Sequence, residues 1–292
     1  MNLNSRITFM TNSNDPLPGR KGCVIALHCS LGSGRQWNKL SQMLGGDYQV
    51  IAPDISGYGD NRISFDLPTT LAEEVAFLDS RIDQAIGPIH LVGHSYGGAV
   101  AFKIATASRF ARRVQSLTLI EPVLPTLLND NHIDRRLHDR FSRLARDICN
   151  DLALSMAMEA TDKFMSYWKG SAPAEPLPAE ARLRMIERMD KIAFDFTAAF
   201  LERDVAGAAG ALRIPTLLLS GGLSPYMTQR IVERLASTIP GAQTHHFPEA
   251  GHMLPITHAG LVNPKIAVHI LRADDLAGVH APESPALTAA WR

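Results

Sequence analysis

Ile89-His90-Leu91-Val92-Gly93-His94-Ser95-Tyr96-Gly97-Gly98 is an apolar run that ends in a glycine-flanked serine and opens into a helix-like stretch, Ala99 to about Ser108. The order strand, G-x-S-x-G, helix describes a nucleophile elbow. A serine hydroxyl is a weak nucleophile until a base takes its proton, so it has to be lifted clear of the backbone on a tight turn. Gly93 and Gly97 lack the Cβ atoms that would collide in such a turn, and Gly98 lets the helix pack closely on the strand. The alternative is a structural turn with an idle serine; the strand-like run before the motif and the helix-like run after it are the context the mechanism requires.

Outward from the elbow, strand-like runs recur with helical stretches between them: Ile7–Phe9, Cys23–Leu27, Val50–Ala52, Leu117–Ile120, Thr216–Leu219 and Ala242–Phe247. Alternation of this kind predicts an α/β fold, a mainly parallel sheet with helices on both faces. The consecutive apolar residues of Thr118-Leu119-Ile120 and Leu217-Leu218-Leu219 predict central strands buried on both sides. Between Pro122 and about Ala211 the periodicity turns helical with no convincing strand, which predicts an inserted helical cap. Its clearest helix is expected from about Ala179 to Arg203, with Leu183, Ile186, Met189, Ala193, Phe196 and Phe200 three or four residues apart. A proline-rich hinge, Ala172 to Pro178, precedes it. The expected organisation is a core over 1–121 and 212–275, a cap over 122–211 and an extended tail over 276–292.

The 292 residues suffice for one such domain with an insertion. Lys plus Arg and Asp plus Glu are balanced at 29 each, so no overall field favours nucleic acid, and a small, largely neutral substrate suits the chain better. The first twenty residues carry no apolar core of signal-peptide length and no later run spans a bilayer, which predicts a cytoplasmic protein without a membrane partner. Three cysteines, Cys23, Cys29 and Cys149, are too few for a disulfide framework and are not spaced as a zinc site. No metal site is expected from the eleven histidines either, because no carboxylate accompanies them at ligand spacing.

An elbow serine needs a base. His252 in Ala250-Gly251-His252-Met253 follows a glycine in a short loop beyond the last strand, at the expected carboxyl end of that strand, where ligands meet an α/β sheet. His90, His94, His245, His246 and His258 read as packed, hydrogen-bonded side chains. The base in turn needs a carboxylate to fix its tautomer. The stretch Ser220 to Gln229 after Thr216–Leu219 has no Asp or Glu, and Ser224 stands where the acid is expected. Glu121, ending the strand beside the elbow strand, is the candidate, and the order Ser95, Glu121, His252 agrees with that assignment; the alternative is a carboxylate that only caps or pairs at the base of the cap. Charge developing on a substrate oxygen calls for two backbone N–H donors. Tyr96, directly after the serine, and Ser30, in His28-Cys29-Ser30-Leu31-Gly32-Ser33-Gly34, are the candidates. A phosphate-binding loop is disfavoured because no Lys-Ser/Thr pair follows those glycines.

With the elbow, Gly251-His252 and Ala52-Pro53-Asp54-Ile55-Ser56-Gly57-Tyr58-Gly59 in place, the chain resembles the α/β-hydrolase superfamily from Ile7 to about Leu271. The resemblance implies the α/β-hydrolase fold, a cap roofing the pocket, no cofactor and acyl transfer to water through Ser95, His252 and Glu121. Cys29 departs from the glycine usual after the histidine. Some haloalkane dehalogenases of the superfamily carry Glu after the strand preceding the cap, as Glu121 would be here, although those enzymes use an Asp nucleophile and Ser95 argues against their chemistry. The expected substrate is a small apolar ester, met by Cys29 and by cap residues among Phe164, Met165, Tyr167, Trp168, Met185 and Met189. The alternative, which periodicity favours no less than a pocket, is that most of these residues pack the cap onto the core. A carbon-carbon bond hydrolase, an acyltransferase and a non-catalytic small-molecule receptor stay open on this fold.

Overall fold

The computed structural model describes residues 21–61, 67–129, 131–173 and 177–280. The strand expected at Ile7–Phe9, the centre of the proline-rich hinge and residues 281–292 of the expected tail lie outside them. Six strands form one sheet: β1 Gly22–Leu27, β2 Tyr48–Ile51, β3 Ile89–His94, β4 Val114–Ile120, β5 Thr216–Gly221 and β6 Gln243–Phe247, in the order β2-β1-β3-β4-β5-β6 with every neighbouring pair parallel. The chain builds outward from β1 to β2, then crosses back to lay β3 on the other side of β1. That reversal leaves a crevice at the carboxyl ends of β1 and β3, where a ligand has room.

Consecutive apolar residues in the strands alternate between two cores. Cys23, Ile25, Leu27, Leu91, Leu117, Leu119 and Leu218 face one, with helices α2 (Leu71–Ile82), α3 (Tyr96–Ala107) and α9 (Tyr226–Thr238). Val24, Ala26, Val92, Ile120, Leu217 and Leu219 face the other, with α1 (Asn38–Leu44), α10 (Leu254–Thr257) and α11 (Ala259–His280). At about 25 cal/mol per Å² of apolar surface removed from water, a sheet covered on both faces supplies most of the folding free energy. Leu276 to His280, expected in an extended tail, continue α11 instead. In the described residues Ile266, Ile270 and Ala273 of this helix are buried, so its apolar stripe holds it on the sheet.

Among the described residues, a 3-10 turn, Pro125–Asn129, and five α-helices lie between β4 and β5: α4 His132–Ala153, α5 Ala157–Lys169, α6 Ala179–Ile186, α7 Asp190–Leu201 and α8 Val205–Ala211. Phe141 of α4 is their centre, fully buried and within 5.5 to 5.9 Å, ring centre to ring centre, of Tyr167, Trp168, Phe196 and Phe200. The single helix expected from Ala179 to Arg203 is two, broken at Glu187–Met189. The break has a tertiary cause: Arg188 turns in to donate to the carbonyl oxygens of Gly57, Asn61 and Gly59 at 2.9, 3.0 and 2.8 Å. Three charge-assisted bonds outweigh the helical propensity of a short stretch. Among the described residues no helix is long and apolar enough to cross a membrane.

Candidate active site

Ser95 joins β3 to α3 with φ 57° and ψ −120°, a conformation that costs a non-glycine residue on the order of 1–3 kcal/mol. The neighbourhood over-determines it. Ser95 N donates to Ile120 O at 2.9 Å, and Ser95 O accepts from Gly98, Ala99 and Val123 N. A Cβ on Gly97 would stand 2.3 Å from His28 O, so only glycine lets the amino end of α3 rest against the end of β1.

His252, in the loop between β6 and α10, places Nε2 2.9 Å from Ser95 Oγ and Nδ1 2.6 Å from Glu121 Oε2. A carboxylate only accepts, so Nδ1 carries the proton and the Nε2 lone pair faces the serine hydroxyl. Glu121 is fully buried at the end of β4, at φ 44°. Its N donates to Leu219 O at 3.1 Å, and its Oε1 accepts from Gly221 N at 2.8 Å. The carboxylate thus leans from β4 over the tip of β5, into the region where Ser224 stands. The Ser224 hydroxyl is buried and has no hydrogen-bond partner among the described residues. A Cβ on Gly221 would meet Ala250 O at 2.3 Å, so this glycine admits the loop that carries His252.

His94, read from sequence as a packing residue, does more than fill space. Its Nε2 donates to His252 O at 2.8 Å, and its Nδ1 lies 3.2 Å from Gln36 Nε2, whose Oε1 accepts from Cys29 N at 3.3 Å. This relay ties together the loops after β1, β3 and β6. Burial holds the His94 pKa well below the usual histidine value, so the ring stays neutral and keeps one donor and one acceptor.

Ser95 opens into a cavity bordered by Ser30, Tyr96, Val123, Phe164, Trp168, Ile192, Asp195 and Phe196. Its volume is about 10 Å³, room for a single water-sized sphere. The Trp168 indole stacks on the His252 ring at 4.3 Å and 26° and closes the space from the side of α5. Of the residues expected at the pocket, Phe164 and Trp168 border it, as do both oxyanion candidates, Ser30 and Tyr96. Cys29 and Met185 do not. Cys29 is buried against Gly32 in the turn after β1, where burial pushes its thiol up to about 12. Met185 is half-buried on α6, a helix with no fully buried residue.

A charged cluster lies in the wall of this cavity, unforeseen in the sequence. Asp195 Oδ2 accepts from Ser30 Oγ and Tyr58 OH, each at 2.5 Å, and Asp195 Oδ1 accepts from Lys191 Nζ at 2.5 Å. Lys191 also donates to Glu74 Oε2 at 3.1 Å, and Tyr96 OH reaches the same oxygen at 3.3 Å. Burial alone would lower the Lys191 pKa, but Asp195 and Glu74 together raise it, while burial raises that of Glu74. Lys191 and Asp195 are four residues apart on α7, one helical turn, between the buried Ile192 and Phe196. An i, i+4 Lys-Asp pair on the apolar side of a helix was the available signal.

Comparison with known proteins agrees with this architecture. The lipase LipV of Mycobacterium tuberculosis is 34% identical over 108 residues, 37% of this chain and 40% of that protein. RutD of Variovorax paradoxus (strain S110), named as a carbamate hydrolase, is 27% identical over 280 residues, 91% of this chain and 96% of its own. Among solved structures, MenH from S. aureus superposes with a TM-score of 0.68 at 19% identity, over 87% of this chain and 95% of that one, a likeness of fold. Apart from the first two residues of β1, the parallel sheet and the strand–serine–helix turn fall within residues 24–264, which match the Alpha/beta hydrolase family, and the chain belongs to that family.

Proposed function

We propose that this protein is a serine hydrolase that cleaves an ester or related acyl bond of a small, largely apolar substrate through a Ser95–His252–Glu121 triad. The unbroken line of hydrogen bonds from Ser95 Oγ through both ring nitrogens of His252 to Glu121 Oε2 carries the reading. His252 Nε2 takes the Ser95 proton as Oγ bonds to the acyl carbon, and the carbonyl π electrons move to oxygen. The backbone N–H groups of Ser30 and Tyr96 face that oxygen in this reading. Collapse re-forms the carbonyl and breaks the bond to the leaving group, which takes the proton from His252. A water then donates its proton to His252 and attacks the acyl-enzyme, and the reverse transfer frees Ser95 and the acid. Glu121 keeps accepting from His252 Nδ1 and stabilises the imidazolium.

The helices α4 to α7 act in this reading as a cap whose Phe164, Trp168, Ile192 and Phe196 give the acyl group an apolar wall. The chemistry needs no cofactor, and the balanced charge of the chain suits a small-molecule substrate in the cytoplasm.

Labelling by a fluorophosphonate, read by mass spectrometry in the wild type, Ser95→Ala, His252→Ala and Glu121→Gln, tests the triad. A series of p-nitrophenyl esters of rising chain length then tests the substrate class. The expected result is modification of Ser95 alone, lost in His252→Ala. Folded wild-type protein that takes no label would refute the hydrolase and leave a ligand-binding receptor on the same fold.

A further inference from the structure

We infer that Asp195 determines specificity, making one wall of the cavity a subsite for a hydrogen-bond-donating group, above all an ammonium, on the substrate. The inference rests on the serine-hydrolase reading for its reaction but not for its binding. Asp195 borders the same small cavity as Ser95, whereas Glu74 and Lys191 lie behind it. A carboxylate offers about four acceptor positions, and three donors, Ser30, Tyr58 and Lys191, approach Asp195 among the described residues. An acceptor position is left for a ligand.

The charges point the same way. Glu74 and Asp195 bring two carboxyl groups to the single ammonium of Lys191, so acceptors outnumber cations behind an otherwise apolar wall. Lys191 is fully buried and held by both carboxylates, out of reach of a substrate anion. A carboxylate-bearing substrate would be placed beside Asp195 with no cation to meet it, which is costly in a closed site. An ammonium or hydroxyl would complete the Asp195 coordination. The Trp168 indole N–H, on a residue of the same wall, is buried with no acceptor among the described residues, so the wall also holds a donor with unused capacity.

The test uses p-nitrophenyl esters of nearly equal shape: butanoate, 3-aminopropanoate and hydrogen malonate, with spontaneous hydrolysis subtracted. Wild-type kcat/KM is expected to be about ten- to a hundredfold higher for 3-aminopropanoate than for butanoate, the range of one hydrogen bond to a charged group, and lowest for hydrogen malonate. In Asp195→Asn the preference for the amino ester is expected to fall toward one. Preference for butanoate or malonate in the wild type overturns the subsite, and so does an unchanged ratio in Asp195→Asn. If that variant does not fold, calorimetry on Ser95→Ala decides, with methyl 3-aminopropanoate expected to bind more tightly than methyl butanoate. Equal binding overturns the subsite; preferential binding by a protein whose wild type turns over no ester supports the subsite and refutes the hydrolase.

Discussion

At the strand ends, the groups that face Ser95 are fixed by hydrogen bonds that each have a backbone atom at one end at least. Ser95 is pinned by Ile120 and Val123, Glu121 by Leu219 and Gly221, and the His252 loop by His94. The helical insertion works differently: Trp168, Phe164 and Asp195 reach the cavity from α5 and α7 through side-chain packing around Phe141 and through the ion cluster on α7. The first region can place a reacting atom to a fraction of an ångström because hydrogen-bonded turns have few alternatives. The second can be reshaped one side chain at a time, which is what substrate choice needs.

If the strand ends carry the chemistry, Ser95→Ala or His252→Ala is expected to lower kcat by about a million-fold with little change in unfolding free energy, in ester kinetics paired with urea titration. Glu121→Gln is expected to cost about ten-thousandfold, because an amide can hold the ring in the wrong tautomer. A variant within tenfold of wild type would remove Glu121 from the triad.

Phe141→Ala attacks the other region. It is expected to destabilise by about 3–5 kcal/mol and to leave fluorophosphonate modification of Ser95 in the folded fraction, since the rings packed on Phe141 belong to α5 and α7. Loss of labelling in folded protein would show that the two regions are not separable.

Acid separates them again. Burial holds His28, His94 and His269 below the usual histidine value, His269 at about 4, and all three belong to the strand framework and α11. The unfolded chain binds these protons near pH 6.5 and the folded chain only at lower pH, so stability falls as pH drops from about 6.5 toward 4. His269 alone would contribute about 3 kcal/mol to that loss. Urea midpoints at pH 7.5, 5.5 and 4.5 measure it; a flat profile would contradict the burial of these rings. The smallest effect is expected at the seam, where Arg188→Met removes three bonds to the loop after β2 and costs about 1–3 kcal/mol, seen as a lower thermal midpoint.

The difference between the regions also explains what could be read in the sequence. Gly93, Gly97 and Gly251 announce the turns they permit, and Glu121 stands out as a carboxylate closing an apolar strand. Local chemistry therefore leads directly to Ser95, His252 and Glu121. Asp195 belongs to no motif; it reaches Ser30 and Tyr58 because α7 is docked by Arg188, a contact between residues more than a hundred positions apart. The break at Glu187–Met189 is invisible to periodicity for the same reason, since its cause lies at Gly57, Gly59 and Asn61. Cys29 was drawn toward the pocket by its neighbour Ser30, but adjacent residues in a tight turn point apart.

The origin of Glu121 on β4 has a consequence for how this protein can vary. The loop after β5 supplies no carboxylate to His252; Leu223 O accepts from Ser171 N at 2.8 Å, and that loop packs against Gly170 at the end of α5. The carboxylate that meets His252 and the support of the end of α5 thus come from separate segments of the gene. Insertions, shuffled loops or designed libraries at Gly222–Pro225 would therefore move α5 and Trp168 together with the segment that carries His252, since Leu223 N donates to Ala250 O at 2.9 Å, while the residue that supplies the carboxylate stays on β4.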